Sequence, residues 1–151
     1  MNNTDKVKFI LVTFFASVNS WLGVLAMPFY FLLLTNLVDY TTGIAASVCR
    51  GERVSSKVGF HGIAKKVCMW LLVLVGYVTD FIIVEMGHTM HIDFGFDSIV
   101  SLAVIFWLMA NEIISILENI SDVGTPLPPF LAKIVELVKE KAEESIETED
   151  K

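Results

Sequence analysis

Residues 67–84 read VCMWLLVLVGYVTDFIIV, with Asp80 as the one charge. Residues 98–117 read SIVSLAVIFWLMANEIISIL, with Glu112 as the one charge. A helix needs about 20 mainly apolar residues to cross the ~30 Å hydrocarbon core of a bilayer. A buried helix of a soluble domain would be shorter and amphipathic. Both segments are therefore read as transmembrane helices. Composition agrees: 54% of residues are hydrophobic and 19% charged, against about 45–50% and about 25% in soluble domains. That excess excludes disorder, and a net charge of -6 argues against a nucleic-acid partner.

Upstream, residues 9–48 are almost continuously apolar, with Asp39 as the only charge. This is too long for one span. Pro28 is the natural break, which gives a third span over 28–48. Residues 7–22 before it form an amphipathic helix. Lys6, Thr13, Ser17 and Ser20 fall on one stripe, while Phe9, Ile10, Phe14, Val18 and Trp21 lie away from it. This helix either lies in the membrane interface or makes a fourth span. The missing polar turn near Pro28 favours the first, and Lys6 and Lys8 favour the second. Phe14, Phe15 and Trp21 crowd the place where a signal-peptide cleavage site would stand.

Charge placement orients the spans. Arg50, Arg53, Lys57, Lys65 and Lys66 oppose Glu52 alone over residues 49–66, which marks a cytoplasmic basic loop. Residues 85–97 hold Glu85, Asp93 and Asp97 without a Lys or Arg and are read as external. After the last span, Gly124 and Pro126 form a stop and Pro128–Pro129 open a new element. Apolar residues recur at Leu131, Ile134, Val135, Val138, Ala142 and Ile146, so 130–146 is an amphipathic helix. The expectation is an all-α, multi-pass membrane protein. Its membrane domain covers 1–120, and a cytoplasmic C-terminal tail covers 121–151.

No catalytic constellation or phosphate-binding loop is present, and no cofactor or metal is expected, so the chain does not read as an enzyme. His88, His91 and Asp93 form at most a weak metal-ligand pattern, read as a short polar loop. Cys49 and Cys68 read as ordinary buried or interfacial thiols. The unusual groups are the carboxyls inside the spans. Asp39 and Glu112 fall at comparable depth in the inner half of the bilayer, and Asp80 falls toward the outer half. Each costs at least about 2.5–3.5 kcal/mol to insert. No Lys or Arg is expected within the spans to pair with them. They are therefore protonated, bonded to polar neighbours such as Asn36, Thr41 and Asn111, or turned toward water in an assembly. Asp39, Asp80, Asn111 and Glu112 are the expected wettable face. Thr42, Gly43, Ala46 and Ser47 stand at small-xxx-small spacing, which promotes helix association in lipid.

Three blocks resemble a known family. Asp39-Tyr40-Thr41-Thr42-Gly43 is similar to the Asp-Tyr-x-Thr-Gly motif of the phage lysis and toxin-secretion holin family. A second block follows at Ser55, Ser56, Lys57, Gly59, Phe60, Gly62, Ile63, Lys65 and Lys66. The third is Asn111-Glu112-x-x-Ser115-Ile116-Leu117-Glu118-Asn119, with Gly124-x-Pro126-Leu127-Pro128 after it. Their order and spacing cover roughly residues 20–145. The chain departs at Ile113, where members often carry Gly, and in a phenylalanine-rich N-terminal helix. The resemblance implies a homo-oligomer that opens a lesion at a set time. A murein hydrolase (endolysin) or large toxin then leaves as cargo, without direct binding. An antiholin, a small-solute channel and a membrane assembly subunit are the alternatives.

Overall fold

The computed structural model describes residues 2–52 and 56–149, and the side chains of these except 56–58, 139 and 141–149. Every element among the described residues is helical. Helix α1 covers Asn3–Leu22, one 3-10 turn covers Gly23–Leu25, and α2 covers Ala26–Cys49. Helix α3 covers Ser56–Met90, α4 covers Ile99–Asp122 and α5 covers Pro129–Glu149. Three helical stretches are long and apolar enough to cross a membrane: Asn3–Cys49, Gly59–Met90 and Ile99–Asp122. The spans expected at 28–48, 67–84 and 98–117 lie inside α2, α3 and α4. The helices expected at 7–22 and 130–146 lie inside α1 and α5.

Two boundaries differ from the sequence reading. Pro28 is the third residue of α2, where a missing backbone N–H costs nothing because the first turn has no acceptor for it. The break between α1 and α2 falls instead at Gly23, at φ 53° and ψ -123°. The second difference is the start of α3. The basic segment expected as a loop is helical from Ser56 onward, so Lys57, Lys65 and Lys66 sit on a helix. Arg53 and Ser55 lie outside the described residues, as does the side chain of Lys57.

Helix ends follow from local hydrogen bonding. At the end of α4, Thr125 N–H donates to the Ile120 carbonyl (3.2 Å) and Gly124 N–H to that of Ser121 (2.9 Å), with Gly124 at φ 93°. The same double closure ends α3, where Ile92 N–H reaches the Gly87 carbonyl (2.9 Å) and His91 N–H that of His88 (3.2 Å). Both are Schellman turns, which satisfy the last carbonyls of a helix.

Each long helix buries one narrow seam. On α2 it includes Leu32, Asn36 and Ala46; on α3 Val73, Gly76, Asp80 and Gly87; on α4 Ser101, Ile105, Leu108 and Glu112. The spacings are threes and fours and their sums, the period of helices that wrap one another. The remaining faces carry large exposed apolar side chains, among them Trp107 at 69%, Phe81 at 62% and Leu37 at 61%. In water such a surface would drive aggregation. In lipid it is the ordinary outer face of a membrane protein.

The chain forms two compact units, Met1–Leu33 with Met69–Trp107, and Leu34–Cys68 with Leu108–Lys151. In the first, the Trp21 ring at the end of α1 lies 5.0 Å from that of Tyr77 on α3. In the second, the segments 34–49, 56–68 and 108–122 meet through polar side chains.

Candidate functional site: an ion cluster among three helices

Asp39 on α2, Lys66 on α3 and Glu112 on α4 come together in the second unit. The Lys66 ammonium donates to Asp39 Oδ2 at 2.6 Å and also to Glu112 Oε2. The side chains are 12% exposed at Lys66, 15% at Asp39 and 4% at Glu112. Each residue stands ten positions from a helix end, 39 from 49, 66 from 56 and 112 from 122. At 1.5 Å per residue, that is about 15 Å along each axis. Three helices therefore deliver their charges to one level.

This corrects the expectation that no cation reaches the intramembrane carboxyls. A run of lysines looks like loop, yet nothing between Ser56 and Lys66 breaks a helix. Ten helical residues then carry Lys66 inward. A buried lysine normally turns its head back toward water. Here two carboxylates hold it instead.

Around the cluster, Asn119 Nδ2 donates to Asp39 Oδ1 (3.2 Å) and to Thr42 Oγ1 (3.3 Å). A Cβ on Gly43 would lie 3.6 Å from the Asn119 side chain, and Ala46 is fully buried. Two of the small residues expected to associate helices, Thr42 and Gly43, thus meet α4 of the same chain. Ser47 Oγ accepts from Arg50 Nη2 at 3.4 Å. On α3, a Cβ at Gly59 would lie 3.4 Å from the Tyr40 hydroxyl oxygen, and one at Gly62 would lie 3.7 Å from the Tyr40 ring.

At the helix ends, Arg50 holds Glu52 with two nitrogens (2.9 and 3.1 Å) and also donates to Asp122. Hydrogen bonding by Arg50 keeps the Glu52 carboxyl below the usual carboxylate range, and Glu52 in turn raises the guanidinium. These groups are open to solvent, so the pairing adds little stability. Its effect is to tie the end of α2 to the end of α4. Lys65 is exposed and takes no part in the cluster.

The other expected wettable residues stand elsewhere. Asp80 lies in the first unit, 4% exposed. Its Oδ1 accepts from Val100 N–H (2.9 Å), and its Oδ2 from Ser101 N–H (2.7 Å) and the Ser101 hydroxyl. It caps α4 from a different helix. Asn111 is exposed, because neighbouring positions on a helix point about 100° apart. Asn119, quoted above only as part of a motif, is the polar residue that reaches Asp39. Among the described residues, no three His, Cys, Asp or Glu side chains gather as metal ligands. His88, His91 and Asp93 line an open depression, and the Asp93 carboxylate accepts from Gly95 N–H at 2.8 Å. Cys49 and Cys68 are exposed free thiols.

The model of the bacteriophage holin family matches residues 16–140. The chain belongs to the bacteriophage holin family. An uncharacterized protein of Listeria monocytogenes is 37% identical over 115 residues, covering 76% of this chain and 74% of its own length. An uncharacterized protein of Clostridium perfringens is 31% identical over 131 residues, covering 86% and 89%. A protein of Bacillus phage phi105 named a probable holin is 21% identical over 119 residues, covering 79% of each. No solved structure matches. Holins permeabilise membranes and are not enzymes. The chain is accordingly a multi-pass membrane protein with a holin-like role.

Proposed function

We propose that the chain is itself a lesion-forming holin of the bacterial cytoplasmic membrane. Copies accumulate, associate, and at a set time open a large non-selective hole. A murein hydrolase or a large toxin passes through it without binding. The Lys66–Asp39–Glu112 cluster carries this reading. A lipid-facing chain holds three charges about 15 Å along its helices and closes them on one another. Such a group is tolerated in lipid only while it is paired. Once the pairing opens, the same group makes a surface that water wets. A water-filled lesion needs helices with one face of each kind. The phage phi105 relative, named a probable holin, supports this reading.

The remaining assignments belong to the same proposal. The Arg50 end and the C-terminal tail face the cytoplasm, supported by the Lys/Arg excess of residues 49–66. Thr42, Gly43, Ala46 and Ser47 first serve contacts within the chain. Asn111, exposed on α4, is assigned to contacts with a second copy.

The test is expression in a bacterium that also makes a cytoplasmic murein hydrolase. Abrupt lysis that needs both proteins is the expected result. A steady loss of ions without lysis would mark a channel. Delayed lysis beside another holin would mark an antiholin.

A further inference from the structure

Helix α4 starts deep. Asp80 holds the amides of Val100 and Ser101, so the first turn of α4 is level with residue 80 of α3. Helix α3 runs on to Met90, about 15 Å farther at 1.5 Å per residue. Residues 91–98 bring the chain back over that distance without a helix. They lie against α3: a Cβ at Gly87 would stand 2.7 Å from the Ile92 carbonyl oxygen and 3.0 Å from the Phe94 ring. About 20 apolar residues cross the hydrocarbon, and counted from Val67 they end at Met86. Helix α4 begins about 9 Å short of that level, so an irregular segment fills the remaining depth.

Lipid does not tolerate irregular backbone unless protein or water satisfies it. Among the described residues, the amides of Asp93, Phe94, Phe96 and Asp97 have no protein acceptor. Between this segment and α3 lies an open depression of about 660 Å³, room for roughly 20 waters at about 30 Å³ each. Val84, Gly87 and His88 form its α3 wall, and Asp93 and Asp97 stand on the returning wall. Val84 and His88 continue the stripe of Asp80 by fours, which places the depression directly above the α4 cap. Asp80 and Ser101 are buried and close its floor. The opposite face of α3 is apolar at the same depth, with Ile82 and Met86 exposed.

We infer that this depression is a water-filled vestibule sunk into the bilayer beside the α3–α4 turn, with its floor at the Asp80–Ser101 cap. Water in it satisfies the four amides and solvates His88, Asp93 and Asp97. The hydrocarbon layer is thinned on that side of α3 and full on the other. The vestibule deepens the lesion reading and rests on that reading only for its consequence. A resting chain already admits water part of the way across, so an opening lesion has less depth to wet.

The experiment uses the full chain with Cys49 and Cys68 replaced by serine. Isolated membranes receive a charged methanethiosulfonate with access to both faces, and reaction rates are measured at single cysteines. Val84→Cys lines the depression. Ile82→Cys and Met86→Cys bracket it, about 3 Å deeper and about 3 Å shallower on the opposite face. Val84 is half-buried while Ile82 and Met86 are exposed, so steric access alone favours the two controls. Val84→Cys is expected to react roughly tenfold faster than either, because lipid largely excludes a charged reagent. Equal rates at 82 and 84 overturn the vestibule, since a helix end that merely protrudes from the membrane exposes both. Met86→Cys reacting faster than Val84→Cys overturns it too, as does a Val84→Cys that fails to react. Labelling does not depend on lysis. A chain that labels as expected and never lyses cells keeps the vestibule and loses the lesion reading.

Discussion

Replacing Asp80 by alanine is expected to cost about 3 kcal/mol of stability, measured by reversible unfolding in mixed micelles. Val100 and Ser101 are the second and third residues of α4, and the first amides of a helix have no acceptor within it. Asp80 supplies one, taking both amides and the Ser101 hydroxyl. Its charge also meets the positive end of the α4 dipole. Alanine strands all three donors in a site that Asp80 shares with a fully buried Ser101, and each stranded donor costs about 1–3 kcal/mol before relaxation. Asparagine retains one acceptor oxygen, so Asp80→Asn is expected to lose about half as much. A loss below about 1 kcal/mol for Asp80→Ala would show that another group caps α4.

Gly76→Leu is expected to cost about 3 kcal/mol, at the upper end of ordinary overpacking. A Cβ at Gly76 would lie 3.1 Å from Ser101 Cα and 3.4 Å from its nitrogen. Those are backbone atoms of the residue that Asp80 caps. The helix cannot yield by turning a side chain, so a bulky residue at 76 lifts α4 away from Asp80. Gly76→Ala gains about 1 kcal/mol of helix propensity, which offsets much of its smaller clash. Positions 76 and 80 act on one contact. The double variant Gly76→Leu, Asp80→Ala is therefore expected to lose clearly less than the two single losses combined. Full additivity would separate the two sites and contradict this account.

Much of this architecture is legible in the residue order. Long apolar runs locate the spans, because nothing else satisfies a backbone in lipid. Gly124 stops α4 as its position suggests. The intramembrane carboxyls stand out because their cost is large and local. Their partners do not stand out, since each partner lies on another helix. Asp80 meets Ser101 across 21 positions and Asp39 meets Asn119 across 80, and no periodicity within one segment reports such pairs. Lys66 is hidden by a different cause. The rule that assigns lysines to loops weighs composition, whereas the helix weighs backbone continuity. At Ser56 the helix begins, and the last lysine of the basic run is carried about 15 Å along α3. Asn111 and Glu112 are neighbours in sequence, yet one step along a helix turns a side chain by about 100°, so Glu112 is buried and Asn111 exposed. In the stripe Thr42, Gly43, Ala46 and Ser47, Thr42 and Gly43 lie against Asn119 of α4. Which helix approaches it was not encoded there.

The central claim is that polar groups closed within the resting chain face water in the open lesion. Thiol labelling at position 42 tests this most directly. Thr42→Cys is close in size to the native residue and stands beside Asn119 and the ion cluster. Ile44→Cys, on the exposed apolar face of α2, is the control. Both are made with Cys49 and Cys68 replaced by serine. Membranes are taken before and after the onset of lysis, and a charged maleimide is given access to both faces. The expected result is that Thr42→Cys resists labelling before onset and reacts after it, while Ile44→Cys resists throughout. Thr42→Cys that stays unlabelled in lysing cells, or that reacts equally at both times, would contradict the account.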